Sequence, residues 1–349
     1  MTGEVLSRRV LNRSLLARQL LLERATLPVS VAMERVGGLQ TQYAPAGYIG
    51  LWSRLADLTR DDLTKALVDR SVVQGTLMRS TIHMVSAADY WGFAGGVREG
   101  RRGWFLRTHA RAAGGIDMEA VATVVRDLLA DVPRPRSELV KALDEAGFPG
   151  VAWSGAGLWV DMVRVPPSGT WERRRAHLFG LADTWVGPDD VTREWGLACL
   201  VRRYLGGFGP ATLNDIAGWA GLSTGELRPG VEALGLRRYR DEEGRELLDL
   251  ADGVLPDPAT PAPVRFLPVW DATLLVHARR AQILPEEFRN LVFHTKNPQS
   301  VNTFLVDGSV AGSWRYERGH IALQPFRTIP RTVQRELDAE AERLSAFHA

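Results

Sequence analysis

The sequence predicts an α+β fold, mainly helical, built as three tandem winged-helix units followed by a β-rich, barrel-like C-terminal subdomain. Three observations carry that expectation. A block of helix-periodic segments closed by two short strand-like runs recurs three times along 349 residues. The proline-rich stretch 256–263 then interrupts the chain, and beyond it short strand-like runs dominate. The expected boundaries are 1–115, 116–188, 189–255 and 256–349.

In the first block, Leu11, Leu15, Leu16, Leu20 and Leu22 recur at helical spacing, and a second periodic run covers 29–36 before Gly37-Gly38. Helices are expected at 47–55 and, from the N-cap Thr59, at 59–69. The period then changes to two, and 72–78 and 81–85 read as paired strands across Arg79-Ser80. The second block predicts helices at 117–130, 136–146 and 153–163, then strands at 170–175 and 177–185. The third predicts helices at 192–205, 212–219 and 224–234, then strands at 236–240 and 246–250 around a charged turn. The last region predicts strands at 264–270, 274–277, 303–306 and 310–314, with Asp307-Gly308 as a hairpin turn, and a final helix at 331–345.

Composition narrows the function. With 45% hydrophobic and 24% charged residues, the chain reads as globular. Cys199 is the single cysteine, which excludes a disulfide framework or a zinc site built on cysteine pairs, and the seven histidines show no metal-binding spacing, so neither metal nor cofactor is expected. No apolar stretch is long enough to span a bilayer, and the first 24 residues carry Arg inside their apolar stripe, so the expectation is a cytoplasmic protein with no membrane partner. Net charge is only +2, but residues 1–110 hold 15 basic against 9 acidic side chains, 266–330 hold 7 against 5, and 111–265 hold 18 against 23. A polyanion should therefore meet the first and last portions. The expected recognition helices argue against sequence reading in the major groove: 153–163 (WSGAGLWVDMV) has no Arg, Lys, Asn or Gln to pair with base edges, so it reads as scaffold.

The most unusual segment is Gly37-Gly38-Leu39-Gln40-Thr41-Gln42-Tyr43-Ala44-Pro45. Glycines end the preceding helix and Pro45 disfavours helix at Ala44, so an extended backbone is expected, on which Gln40 and Gln42 point the same way. Two such amides can grip one water. On spacing alone, a pair of solvated loop glutamines is the plainer reading.

VGGLQTQYAPAGYIGLWSRL, with the downstream LMRSTIHMVSAADYW and LPVWDATLLVHARRAQILP, resembles the AlkZ-like DNA glycosylases of the winged-helix superfamily. The resemblance covers nearly the whole chain. It implies a catalytic motif of glutamine, a usually apolar residue and glutamine, falling on Gln40, Thr41 and Gln42, with Thr41 departing from the apolar centre. It implies a monofunctional enzyme hydrolysing the N-glycosidic bond of bulky, cationic N-alkylated purines, including interstrand crosslinks, in antibiotic self-resistance or alkylation repair. Its partner would be double-stranded DNA carrying such purines, and the chain would act as a nucleoid-associated monomer. The chemistry is consistent: an amide is neither a useful acid nor base near neutrality, but it can position water against a sugar whose base already departs readily. Only three lysines occur, none near the motif, which disfavours a Schiff-base lyase.

Secondary candidates remain two-sided. Arg79, at the expected wing tip, suits a phosphate or plain solvent. His83 is either a structural group or faces DNA. Trp270 opens the β-rich end, where Asp271 either orders water or caps a turn. Arg279 and Arg280 suit phosphates or solvent, and the 305–314 hairpin either probes the groove or is structural. The alternative function is a winged-helix DNA-binding regulator without catalysis.

Overall fold

The computed structural model describes residues 4–174, 177–274, 281–293 and 300–349. The fold is mixed α+β. The first part runs β1 (Val5–Leu6), α1 (Arg8–Arg18), α2 (Val29–Val36), β2 (Leu39–Gln40), α3 (Ala44–Trp52), α4 (Arg60–Val68), β3 (Val72–Thr76) and β4 (Ile82–Ser86). Thr59 caps α4 as expected, accepting from the Asp62 N–H while the Asp62 carboxylate accepts from the Thr59 N–H. The longest helix, α5 (Ala87–Thr108), is not among the elements the sequence predicts, and the short α6 (Ala110–Ala113) follows it.

The second part comprises α7 (Met118–Leu129), β5 (Arg134–Pro135), α8 (Arg136–Glu145), α9 (Val151–Trp159), β6 (Met162–Arg164), β7 (Leu178–Leu181) and α10 (Ala182–Val186). The third is α11 (Arg193–Phe208), α12 (Leu213–Ala220), α13 (Thr224–Glu232), β8 (Arg237–Asp241) and β9 (Glu246–Asp249). After the proline-rich connector come β10 (Arg265–Leu267), α14 (Arg289–Val292), β11 (Thr303–Val306), β12 (Ser309–Glu317), β13 (His320–Pro325) and α15 (Arg331–His348).

Two expectations about the sheets change. The strand pairs of the first and second blocks are not separate wings: they form one six-stranded sheet in the order β2-β4-β3-β6-β7-β5, joined where Gln74 and Gly75 pair with Arg164 and Val163. The β-rich end is an open four-stranded antiparallel sheet, β10-β11-β12-β13, with no barrel closure among the described residues. The remaining sheet, β1-β8-β9, takes the chain's first strand in parallel against the third block's hairpin.

The second block also departs in detail. In place of the strand expected at 170–175 the chain turns: Ser168 N–H donates to Val165 O and Thr170 Oγ1 to Pro167 O, and Trp171 is buried between the guanidinium faces of Arg60 and Arg174. Pairing falls instead to β6, which overlaps the end of the expected helix 153–163, because β3 offers its free edge to residues 163 and 164. Tertiary pairing here overrides local helical preference. The strand expected at 274–277 falls largely outside the described residues.

Helix α5 carries glycines at 92, 95, 96, 100 and 103, a composition that disfavours an isolated helix. Packing explains them. A Cβ on Gly196 of α11 would lie 2.5 Å from the Gly96 nitrogen, and one on Gly96 would lie 2.8 Å from the Gly196 oxygen, so the two backbones meet with no room for side chains. Around that crossing Phe93, Val97, Leu197, Leu200 and Tyr204 fill the largest apolar core. Gly196→Ala is therefore expected to destabilise the protein by about 1–3 kcal/mol. Gly103→Ala, whose Cβ would meet only the end of the Arg107 side chain, should be neutral or gain up to ~1 kcal/mol. Urea unfolding of both variants checks this.

Candidate active site

The glutamine segment is positioned by its two ends. Gly37 caps α2 in the left-handed region (φ 75°) and Gly38 follows at φ 78°, both N–H groups donating to Met33 O. A Cβ on Gly38 would fall 2.8 Å from a Val85 methyl, so the chain passes β4 only with glycine there. Beyond it, Leu39 and Gln40 pair antiparallel with Met84 and His83, and Thr41 N–H donates to Ile82 O. Burial alternates as the pairing dictates. Leu39 and Thr41 are buried toward α3, while Gln40 is half-buried and Gln42 exposed on the opposite side. The Thr41 methyl does face inward, against Gly47, but its buried hydroxyl has no partner among the described residues.

The two amides are held differently. Gln40 Oε1 accepts from Arg79 Nη2 at 3.0 Å, and Gln42 Oε1 accepts from the Ile82 N–H at 3.3 Å. Both partners are donors only, which fixes each amide's orientation and places oxygen, not nitrogen, at each contact. Gln42 lines an open cleft of about 470 Å³. One wall is Thr76, Ser80 and Ile82 of the sheet and its turn. The facing walls are Trp104, Phe105 and His109, then Trp153, Ser154, Gly157 and Leu158 of α9, and Arg136, Arg164, His177 and Phe179 at the sheet's far edge. Among the described residues, no carboxylate, lysine or cysteine lines it. Trp104 is 46% exposed, an aromatic surface already presented to solvent.

Several expectations shift at this point. Helix α9, expected as scaffold, forms part of the cleft. Arg79 is not an outward wing tip: from a left-handed backbone (φ 52°) its side chain turns in to Gln40 and to the carbonyl of Trp219 on α12. His83 is only 2% exposed, directly across β2–β4 from Gln40, with Nδ1 bonded to Thr81 O. That carbonyl only accepts, so Nδ1 carries the proton. Burial, then the charges of Arg79 and Arg101, push its imidazole down to about 3, which makes it a neutral structural group rather than a surface facing DNA.

Asp271 is fully buried, its carboxylate bidentate to Arg54 at 2.9 Å and 2.9 Å and accepting from Thr273 N–H and Oγ1. Burial alone would raise this carboxyl; Arg54 and Thr273 more than offset it and hold it below the usual range. It caps a turn and anchors Arg54. Trp270 is half-buried in a left-handed backbone, its N–H donating to Ser300 Oγ at 2.7 Å. The 305–314 hairpin is anchored to the body of the protein: Arg9 grips the Asp307 carboxylate at 2.8 and 3.0 Å, Arg13 joins it, and Trp314 Nε1 is bonded inside the core to Leu267 O and Thr303 O. Arg279 and Arg280 lie outside the described residues.

The aromatic and basic walls of the cleft escape a reading of the sequence. Trp104 sits in the unexpected helix α5, and the others meet only through the β3–β6 pairing.

The profile of the family described as "DNA glycosylase AlkZ-like" matches residues 33–347, and the chain belongs to that family, a class of hydrolase. A curated relative, the interstrand DNA cross-link repair glycosylase of Streptomyces sahachiroi, is 23% identical, the alignment covering 93% of this chain and 92% of that protein. The solved structure of the Streptomyces sahachiroi DNA glycosylase AlkZ has the same fold, with a TM-score of 0.82 and 21% identity over 98% of this chain and 97% of that one. Among the described residues no helix is long and apolar enough to cross a membrane.

Two outcomes follow from the buried groups. Asp271→Asn leaves Arg54 without its counter-charge and should cost about 3–5 kcal/mol of stability, read by urea unfolding. For His83 the folded-state pKa lies below that of the unfolded chain, so the unfolded state binds the extra proton between pH 6.5 and about 3. Stability is then lost as pH falls through that window. From pH 7 to pH 4.5 the wild type should lose roughly 2–3 kcal/mol more than His83→Gln, measured by chemical unfolding at each pH.

Proposed function

We propose that the chain is a monofunctional DNA glycosylase that hydrolyses the N-glycosidic bond of cationic N-alkylated purines, above all guanines substituted at ring nitrogen seven, with Gln40 and Gln42 as the catalytic pair. The observation that carries this reading is the composition of the cleft: Gln42 opens into a space lined by aromatic rings, arginines and histidines, without a carboxylic acid to protonate a leaving base or a lysine to form a Schiff base among the described residues. Such a site suits a base that is already positively charged.

The bond from the sugar carbon to the purine breaks with its electron pair leaving on the base, which neutralises the alkyl-induced charge. Water attacks the resulting oxocarbenium-like carbon and gives its proton to solvent. Gln42 Oε1, with one lone pair taken by Ile82 N–H, has a second with which to accept a water O–H, and the water's own lone pair is then aimed at the sugar. Gln40 does not itself line the cleft; held by Arg79 beside it, Gln40 is assigned the second amide dipole. A cleft of about 470 Å³ with an exposed tryptophan at its mouth accommodates a bulky substituent stacked on an aromatic face. The crosslink named for the Streptomyces relative is within that reach. The same reading expects double-stranded DNA as partner, a monomer, and no metal or cofactor, in self-resistance or alkylation repair.

The test is a duplex with one bulky N7-alkylated guanine, incubated with enzyme and treated with hot alkali to cut abasic sites. Wild type should release the base, while Gln40→Ala and Gln42→Ala should each lose about 10²-fold in single-turnover rate with DNA binding retained. Unchanged excision in both variants, or release of uracil from a control duplex, overturns the proposal. Binding without excision by the wild type supports a regulator instead.

A further inference from the structure

The far edge of the cleft holds an uncompensated cluster of charge. Arg164 ends β6 and Arg136 begins α8, whose Pro135 cap provides no side-chain acceptor. Each guanidinium lies over a ring: Arg136 over Trp153 at 5.9 Å and Arg164 over Phe179 at 5.7 Å, and those two rings meet edge to face at 5.6 Å. Stacking of this kind covers the face of a guanidinium and leaves its N–H edge available. Neither guanidinium forms an ion pair or donates a hydrogen bond to any described residue. Burial and then Arg136 lower Arg164, and burial, Arg164 and Arg136 lower His177. Arginines gathered on a cleft wall with no acidic partner need a ligand that brings the negative charge. All three residues line the same cleft as Gln42.

We propose that Arg136, Arg164 and His177 form a binding site for a backbone phosphodiester of the DNA substrate, seating the strand beside Gln42. The site rests on the glycosylase reading for its substrate, and it places a phosphate contact in the acidic middle third of the chain, where the charge distribution of the sequence does not point. The planar forks suit two phosphate oxygens at once. The aromatic ladder Arg136–Trp153–Phe179–Arg164 keeps both forks in place before DNA arrives.

The test measures affinity for the alkylated duplex by fluorescence anisotropy across a salt series. Arg136→Gln and Arg164→Gln should each weaken Kd about five- to tenfold and lower the slope of log K against log salt by about 0.9 for every phosphate that is no longer neutralised. Arg164→Lys, which keeps the charge but not the fork, should restore the slope more than the affinity. Arg238→Gln, exposed on β8, is the surface control and should match the wild type. Arg164 is partly buried, so circular dichroism accompanies its variants; if Arg164→Gln unfolds, the exposed Arg136 decides alone. Kd and slope unchanged in Arg136→Gln overturn the proposal. Wild-type excision is scored separately: no base release with the slope effects intact sinks the glycosylase reading and leaves the phosphate site standing, whereas excision with unchanged slopes does the reverse.

Discussion

The architecture around the site depends on one buried guanidinium. Arg54, just beyond the end of α3, is fully enclosed. It donates twice to Asp271 of the β-rich end, once to the carbonyl of Gly50, and once to Gln19 Oε1 just beyond α1. The other end of the Gln19 amide donates to the carbonyls of Val36 and Gly207. Val36 is the last residue of α2, immediately before the two glycines that launch the glutamine strand. A single chain of hydrogen-bonded polar groups, in which Arg54 Nε alone has no partner among the described residues, thus ties the β-rich end, α1, α2, α3 and the end of α11 to the backbone that carries Gln40. In a low-dielectric interior such a network is costly to break at any member, because each partner left behind is desolvated and unpaired. The glutamine segment is only a few residues long and leans on this distant support.

How much is legible in the sequence depends on whether a feature has local causes. The glutamine segment is legible because most of its determinants lie within it: Gly37 and Gly38 take positive φ and alternation puts Gln40 and Gln42 on one side, but Pro45 does not keep Ala44 out of helix, since Ala44 opens α3 with the proline in its first turn, where a missing N–H costs nothing. The cap at Thr59 is legible for the same reason. Helix α5 is not, because its glycines oppose helix locally and make sense only against Gly196, a hundred residues away. Strand β6 escapes because it lies in a stretch that reads as helix until β3 pairs with it. The inward turn of Arg79 depends on a left-handed backbone at a non-glycine residue, which composition does not announce. The cleft itself is a product of assembly: residues 104–109, 136, 153–158, 164 and 177–179 converge only once the six-stranded sheet exists.

That assembly also explains the division of labour in the site. The strand bearing the glutamines supplies oriented dipoles and no titrating group, and its histidine neighbour is held neutral by burial and positive charge. On the proposed reading reactivity is left to the substrate, while the protein contributes position, an aromatic surface and a field. A site of this kind gains selectivity from chemistry it does not perform: a base without a leaving group's charge finds no acid to help it.

The continuous sheet from β2 to β5 bears on how a duplex is received. Because β3 bonds to β4 on one side and to β6 on the other, the glutamine strand and the arginine-bearing edge are parts of one continuous sheet. On the glycosylase reading, a wall hydrogen-bonded throughout leaves adjustment of shape to the DNA. Where lesion and cleft differ in shape, the double helix must yield, so a site already kinked or unstacked by its adduct enters at less elastic cost than intact B-form DNA. Damage would then be sensed first as softness and only afterwards as chemistry.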